Sequence, residues 1–321
     1  MNTWGLNLNL PIEPLLARCK NLLIAGMGGG FDVFCGLPIY LELGRMGQNA
    51  HLANFSFSEI TRLKDGQRLT PTLVGIHAGV KDFAIYIPEL YLAQWFAEKR
   101  DHTVTVWCFE KTGAGPLLDN YRVLVESLSI DGIVLIDGGV DSLMRGDEAQ
   151  TGTMIEDAIS LFAVNALSQI PIRIIACLGF GSEQDVAYTH VLENIATLTK
   201  AGGFLGACSL TPEMEAYRDY EEAVLYTQNK RYQDASVINS SIISAAHGEF
   251  GNYHLTEKTR GSRLWISPLM LFYWFFDLPT VAKHNLFLPQ LHETRTFMEA
   301  VLAARSALMG VPKRKTPSLH L

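Results

Sequence analysis

Four acidic side chains lie in the short segment 137–148, DGGVDSLMRGDE, directly after an apolar run. Carboxylates beside glycines suit Mg²⁺, which takes one or two of them together with water and substrate phosphates. They could also bind sugar hydroxyls or act as general acid and base. We expect Asp137 and Asp141 to bind metal or sugar, Asp141 to act in catalysis, and Glu148 to be the base. In the alternative interpretation, Asp137 and Asp141 only brace a turn.

A second group of candidate residues follows the first apolar run of the chain. Gly28, Gly29 and Gly30 precede Asp32, which can cap a helix and also reach a ligand. Glycines let the backbone approach a ligand closely, and the helix that follows offers free N–H groups to an anion. We expect the glycines to hold the anionic part of a metabolite and Asp32 to contribute to catalysis.

Three further apolar runs also end at glycine pairs. The carboxyl ends of parallel strands meet at one edge of a sheet, where ligands bind in open α/β folds. We therefore expect all these glycines to line one site, although a tight strand-to-helix turn would explain any single pair. The further predicted ligand-binding residues are Gly113, Gly115, Gly138, Gly139, Gly179, Gly181 and Arg145, with Asp147 as an alternative partner of the arginine.

Two familiar phosphate-binding fingerprints fail in this chain. The pattern GxGxxG begins at Gly26 but reaches Phe31 at its last position, and no acid ends the second strand to bind a ribose. A GxxxxGK[ST] loop is absent from the sequence. Standard NAD binding and P-loop chemistry are therefore both disfavoured.

Two other groups of charged residues have ordinary structural explanations. Glu156 and Asp157 lie in the first turn of a predicted helix, where acids complement the helix dipole, so we assign both a structural role. His247 and Glu249 could form an acid–base pair, but a histidine followed by glycine is also an ordinary end of an apolar helix. The sequence leaves both interpretations of His247 and Glu249 open.

The elements that would position these residues alternate between strand and helix along the first two thirds of the chain. Such alternation predicts right-handed crossovers and a mostly parallel, Rossmann-like sheet with helices on both faces. We expect one α/β domain over 1–321, with the core in 1–210 and a helix-rich C-terminal elaboration in 211–321. The predicted strands are 21–27, 50–57, 103–109, 132–136, 172–178 and 204–210, the helices between them include 32–47, 89–99, 116–128, 154–167 and 185–200, and 66–81 is expected to be a loop.

Several of these motifs resemble the bacterial and archaeal family known as domain of unknown function 1152. The similarity covers about residues 21–160 and lies in GGGFD at 28–32, DGGVDSL at 137–143, GDE at 146–148 and Asp157-Ala158. The chain departs from the family pattern at Val140, which is inserted, and at Thr153-Met154, which replaces Ser-Pro. The resemblance implies a Rossmann-like fold and supports the choice of site residues, but it implies no reaction.

Composition narrows the class of protein and its partners. Of the 321 residues, 48% are hydrophobic and 18% are charged, a lean charged fraction that predicts a homo-oligomer. The net charge of −7 argues against nucleic-acid binding, and we expect the basic cluster 313–315 to be a solvated tail. Five cysteines without a CxxC pair, no apparent signal peptide and no apolar stretch long enough to cross a bilayer predict a cytoplasmic protein without a membrane partner.

Together these features predict an enzyme that acts on a small anionic metabolite, phosphorylated or nucleotide-like, with Mg²⁺ as the candidate cofactor. The alternative is a non-catalytic sensor of the same fold, in which the same loops bind a nucleotide or metabolite. A weaker alternative is an oxidoreductase with an atypical NAD(P) site.

Overall fold

The computed structural model describes residues 6–81 and 85–316, and in these residues nine strands form a single sheet. The strands are β1 (Asn21–Gly26), β2 (Asn49–Phe55), β3 (Gln67–Thr70), β4 (Leu73–Ile76), β5 (Val106–Phe109), β6 (Gly132–Gly138), β7 (Ile172–Leu178), β8 (Phe204–Ser209) and β9 (Phe272–Asp277). Their order across the sheet is β3-β4-β5-β2-β1-β6-β7-β9-β8. The five central strands are parallel to one another, namely β5, β2, β1, β6 and β7. Antiparallel strands flank them on both sides.

Helices cover both faces of this sheet, which is why its central strands are continuous apolar runs. The helices in the described ranges are α1 (Glu13–Leu16), α2 (Asp32–Cys35), α3 (Leu37–Arg45), α4 (Pro88–Arg100), α5 (Ala114–Leu128), α6 (Met154–Asn165), α7 (Tyr188–Lys200), α8 (Glu215–Gln228), α9 (Val237–Ala246), α10 (Leu278–His284) and α11 (Phe297–Leu308). Helices α2, α3, α4, α8 and α9 pack on one face, and α5, α6, α7, α10 and α11 pack on the other. The predicted α/β class with helices on both faces is confirmed.

The first predicted helix, 32–47, is interrupted where it crosses the sheet. Gly36 separates α2 from α3, and a Cβ at this position would lie 2.8 Å from side-chain atoms of both Ile24 and Ile136. The close approach of the backbone to β1 and β6 therefore requires glycine here. It also fixes α2 directly behind the carboxyl end of β1.

The segment 66–81, expected to be a loop, instead contains the hairpin of β3 and β4. Strand β4 is buried and pairs antiparallel with β5, while β3 forms the exposed edge of the sheet. Gly75 in β4 packs against Trp107, and a Cβ at this position would lie only 2.9 Å from the indole ring. The glycine within β4 thus marks a close packing contact.

The C-terminal part of the chain is not only helical. The aromatic run Phe272–Asp277 forms β9, which lies between β7 and β8 and pairs antiparallel with both. Phe275 and Phe276 are fully buried on opposite faces of the sheet. The expected boundary near residue 210 therefore does not separate the sheet from the helices.

Two of the exposed aromatic side chains of this C-terminal part lie next to each other. Phe250 and Trp265, which we call the aromatic patch, are 68% and 57% exposed, and their ring centroids lie 5.9 Å apart. Across the described residues, no helix combines the length and the apolarity needed to cross a membrane.

Candidate functional site

Five acidic side chains converge where the parallel strands end. Strands β1, β5, β6 and β7 run in the same direction, so the loops that follow them lie along one edge of the sheet. Three of these loops and the helices behind them supply the acids. The group, which we call the acid cluster, consists of Asp32 at the start of α2, Asp137 in β6, Asp141 just after β6, Asp157 in the first turn of α6, and Glu183 after β7.

Three members of the acid cluster are close enough to share one ligand. Asp137, Asp141 and Asp157 each offer a carboxylate oxygen, and these oxygens all lie within 4.8 Å of one another. Their residues are only 1–2% exposed. Asp32 is 8% exposed and Glu183 is half-buried, so the last two acids border the group of three.

The backbone amides of this edge are used to hold the carboxylates. Each amide that donates to the cluster belongs to one of the glycine-containing loops or to the turn before α6. The bonds run from Gly28 N to Asp32 Oδ2 (2.7 Å), from Ser142 N to Asp137 Oδ2 (3.1 Å), from Thr153 N to Asp141 Oδ2 (2.7 Å) and from Val140 N to Glu183 Oε2 (2.9 Å). The amide of Gly28, predicted to hold an anionic ligand, therefore already has an anionic partner inside the protein.

Three glycines of these loops leave room for the same carboxylates. A Cβ on Gly28 would lie 2.7 Å from both Asp157 Oδ1 and Asp32 Oδ2, and a Cβ on Gly138 would lie 2.6 Å from Asp32 Oδ1. Gly139, with a φ of 139°, similarly faces Glu183 at 2.6 Å. These glycines are required because carboxylates crowd against the backbone, which any larger residue would prevent.

The remaining predicted glycines have different neighbours. Gly113 and Gly115 donate their amides to the carbonyls of Arg295 and Thr294, and this C-terminal segment covers them. Gly179 and Gly181 both have positive φ in the turn after β7. Gly179 packs near Ile238 and Gly181 near Met270, so neither faces the acid cluster.

Negative charge dominates the acid cluster. Among the described residues, none of its five acids forms an ion pair with lysine, arginine or histidine. Asp157 Oδ1 is buried, and no residue that the structure describes forms a hydrogen bond with it. Burying an unpaired charge is unfavourable, because removing each ion from water costs several kcal/mol even after the protein relaxes.

The same burial favours the protonated forms of these acids. It raises the pKa of Asp137 to about 7, with a further contribution from the charge of Asp141. Burial followed by neighbouring carboxylates also raises the pKa of Asp32, Asp157 and Glu183 well above their ordinary values, and burial raises the pKa of Asp141. The arrangement therefore stabilises bound protons or a bound cation, and it disfavours a bare anion.

Glu148, the predicted base, has a different set of partners. It is fully buried and accepts hydrogen bonds from Asn194 Nδ2 (2.8 Å), from Gly146 N (2.8 Å) and from Arg314 Nη2 (2.6 Å). Burial opposes its charged form, but the bonds from Asn194, Arg145 N and Gly146 N outweigh this effect and lower the pKa of Glu148. Through these contacts Glu148 stabilises the loop that follows Asp141.

Arg314 was expected in a solvated tail, but it holds the loop that ends the acidic segment. Besides Glu148, its guanidinium pairs with Asp147 at 2.8 Å and with Glu193 at 2.6 Å, and the neighbouring Lys313 donates to the carbonyl of Gly146. Arg314, rather than Arg145, is therefore the partner of Asp147. The Nε of Arg145 is buried without a hydrogen-bond partner, and no contact connects it to the acid cluster in the described residues.

His247 pairs with Glu221 at 2.6 Å on the surface, at the end of α9. Its side chain is 55% exposed. Glu249 is half-buried. The ordinary helix terminus accounts for the position of His247.

Sequence reasoning missed two members of the acid cluster. Asp157 was assigned to the helix dipole, yet its carboxylate lies beside Asp137 and Asp141. Glu183 was not singled out, although it follows the glycine pair after β7 and so had to lie at the carboxyl edge. The useful signal for both was their position after a parallel strand.

The family model described as "Protein of unknown function (DUF1152)" matches residues 23–310, and the chain therefore belongs to this family. The resemblance inferred from the sequence motifs is confirmed, and it extends well beyond the first half of the chain. No curated protein and no solved structure matches the chain. Its function must therefore be inferred from the site itself.

Proposed function

We propose that this family member is a divalent-cation-dependent enzyme that acts on a phosphorylated or nucleotide-like metabolite. Asp137, Asp141 and Asp157 would hold the cation. The observation that carries the proposal is Asp157 Oδ1, a buried oxygen that faces other acids and has no hydrogen-bond partner within residues 6–81 and 85–316. A cation would give this oxygen a partner and offset the repulsion within the acid cluster.

The donor set fits a hard divalent cation. Mg²⁺ and Ca²⁺ bind oxygen ligands at about 2.0–2.6 Å, so oxygens around one ion lie at most roughly 4–5 Å apart. The three oxygens here lie within 4.8 Å of one another. Three protein ligands leave positions for substrate and water, and a bound cation would supply charge stabilisation to a phosphoryl oxygen. The same charge explains how a site this acidic would accept an anionic metabolite.

Glu183 supports catalysis over simple binding. It borders the three proposed ligands, is held by the amide of Val140 and is half-buried. Burial and the charges of Asp141 and Asp137 raise its pKa well above the ordinary value, which favours its protonated form. Carboxyl groups with raised pKa values at the edge of a site are typical general acids and bases. We assign this role to Glu183.

Calorimetric titration of the protein with Mn²⁺ and Mg²⁺ tests the proposal. Wild type should bind one of the two ions, and Asp157→Asn and Asp141→Asn should weaken binding by at least about tenfold, because a neutral amide replaces an anionic ligand. Asp119→Asn is the matched control, since Asp119 is 73% exposed and, in the described part of the chain, forms an ion pair only with Arg122. Wild type that binds neither ion, or cluster variants that bind as well as the control, would refute the cation site.

Incubation with a panel of phosphorylated metabolites then separates an enzyme from a sensor. We expect cation-dependent conversion of at least one compound, and its loss in Glu183→Gln with cation binding retained. Cation-dependent binding of a metabolite without conversion would support the sensor instead.

A further inference from the structure

An exposed aromatic ring lies next to the acid cluster. Phe57 follows β2, another of the parallel strands, and its ring packs over Gly29, where a Cβ would lie only 2.3 Å away. The residue is nevertheless 45% exposed. Phe57 thus presents an apolar surface beside the glycine loop 28–30. Gly28 of this loop lies against Asp32 and Asp157.

The ring forms one wall of a cavity of about 350 Å³. Gly30, Tyr86, Asp234 and Lys258 line other parts of it. Burial, together with the charge of Glu89, raises the pKa of Tyr86 far above its ordinary value, so its hydroxyl remains a hydrogen-bond donor. Ligand sites commonly have about this size and combine apolar walls with a few polar groups.

A cationic side chain lies on the same edge of the sheet. Lys111 Nζ is 4.6 Å from the ring centroid of Phe57, 3.8 Å from that of Phe297 and 2.8 Å from Glu156 Oε1. Its side chain is 34% exposed, so the ammonium group can also face a ligand. These contacts hold the ammonium group beside Glu156 in the first turn of α6, the helix that also carries Asp157.

We infer that Phe57 and Lys111 form a binding platform for a nucleoside phosphate. The planar base packs on Phe57 in the cavity, with Tyr86 and Asp234 available to its polar edge, and the phosphate faces Lys111 and the cation. This inference deepens the proposed function and rests on it, because the cation must offset the acid cluster before a phosphate can approach. Stacking on an aromatic side chain is the usual source of affinity for bases when no backbone fingerprint is present.

The test compares nucleoside monophosphates with ribose 5-phosphate, which carries the same phosphate but no base. Titrations use the full chain saturated with Mn²⁺ and the four monophosphates AMP, GMP, CMP and UMP. At least one of them should bind tenfold or more tightly than ribose 5-phosphate, as expected for one stacked base. Phe57→Leu should remove most of this preference without changing the affinity for Mn²⁺ or for ribose 5-phosphate.

Two further variants separate the platform from general effects on the site. Lys111→Met should weaken the monophosphate and ribose 5-phosphate alike, by about tenfold. Phe297→Leu removes the other ring beside Lys111 but no wall of the cavity, so it should preserve the preference for the base.

The outcomes distinguish the platform from the cation site. The platform is refuted if Mn²⁺-bound wild type binds all four monophosphates and ribose 5-phosphate with equal affinity. It is also refuted if Phe57→Leu keeps the full preference for a monophosphate over ribose 5-phosphate. Neither result contradicts the cation site. A protein that binds neither Mn²⁺ nor Mg²⁺ overturns both.

Discussion

Replacing Asp137 with asparagine should stabilise the protein when no metal is bound. The pKa of Asp137 rises from its ordinary value of 3.8 to about 7, chiefly because the group is buried. This rise corresponds to about 4 kcal/mol of unfavourable free energy for the ionised side chain in the folded state. Asparagine keeps the shape of the side chain and can still accept the bond from Ser142 N, but it never carries the charge.

The effect should depend on pH with a definite sign. Below pH 3.8 the carboxyl group is protonated in both the folded and the unfolded chain, so charge makes no difference. As the pH rises from 3.8 to about 7, the unfolded chain releases its proton while the folded protein retains it, and the stability of wild type falls. Above pH 7 the penalty is complete. Asp137→Asn should then exceed wild type by roughly 3 kcal/mol, allowing about 1 kcal/mol for a poorly paired amide hydrogen.

The assay is urea-induced and thermal unfolding in EDTA between pH 5 and pH 8, with Asp119→Asn as control. We expect the melting temperature of Asp137→Asn to exceed that of wild type by roughly 4–5 °C at pH 8 and the gap in melting temperature to narrow at pH 5. Saturating Mn²⁺ should stabilise wild type selectively and reduce or reverse the gap. If Asp137→Asn is less stable than wild type at pH 8 in EDTA, then the burial of repelling charges at this site does not lower the stability of the folded protein.

Three other substitutions or measurements follow from the structure. Gly28→Ala should abolish cation binding because its Cβ would meet two carboxylates at 2.7 Å, whereas Gly44→Ala, whose Cβ would meet no described atom within 4 Å, should leave binding unchanged. Equal binding by both variants would contradict the crowding described at Gly28. Arg314→Gln should lower the free energy of unfolding by about 1–3 kcal/mol, because buried Glu148 loses a charged partner. The effect of this substitution should be smaller in a Glu148→Gln background, and a double-mutant cycle measured by urea denaturation tests this. Light scattering should reveal a homo-oligomer, and replacing the two rings of the aromatic patch by serine should dissociate it; a wild type that stays monomeric at high concentration would remove this expectation.

The central part of the fold was predictable because its signals are local. Most of the parallel strands are apolar runs buried on both faces, and the predicted range 172–178 of β7 is the observed one. The hairpin of β3 and β4 was missed because β3 is polar and β4 contains a glycine. Strand β9 was also missed as a strand, since its pairing with β7 joins segments about a hundred residues apart and leaves no periodic pattern.

The site was predictable to the extent that its residues adjoin glycines. Asp32, Asp137 and Asp141 were identified in this way and do lie together, although the glycines make room for carboxylates more than for a ligand. Asp157 was missed because a first-turn acid already has a sufficient local explanation. The partner of Glu148 lies 166 residues away at Arg314, a contact that no spacing rule could reveal.

The position of β9 constrains the order in which the sheet can form. Strand β8 has β9 as its neighbour in the sheet, while β9 follows it by more than sixty residues. During folding β8 cannot join the sheet until β9 has docked on β7, so that side of the sheet waits for a contact of long sequence separation. Such contacts form slowly and leave strand edges open to other chains. Pulse-labelling hydrogen exchange should accordingly show the amides of β8 gaining protection together with those of β9; earlier protection of β8 would mean that it first pairs elsewhere.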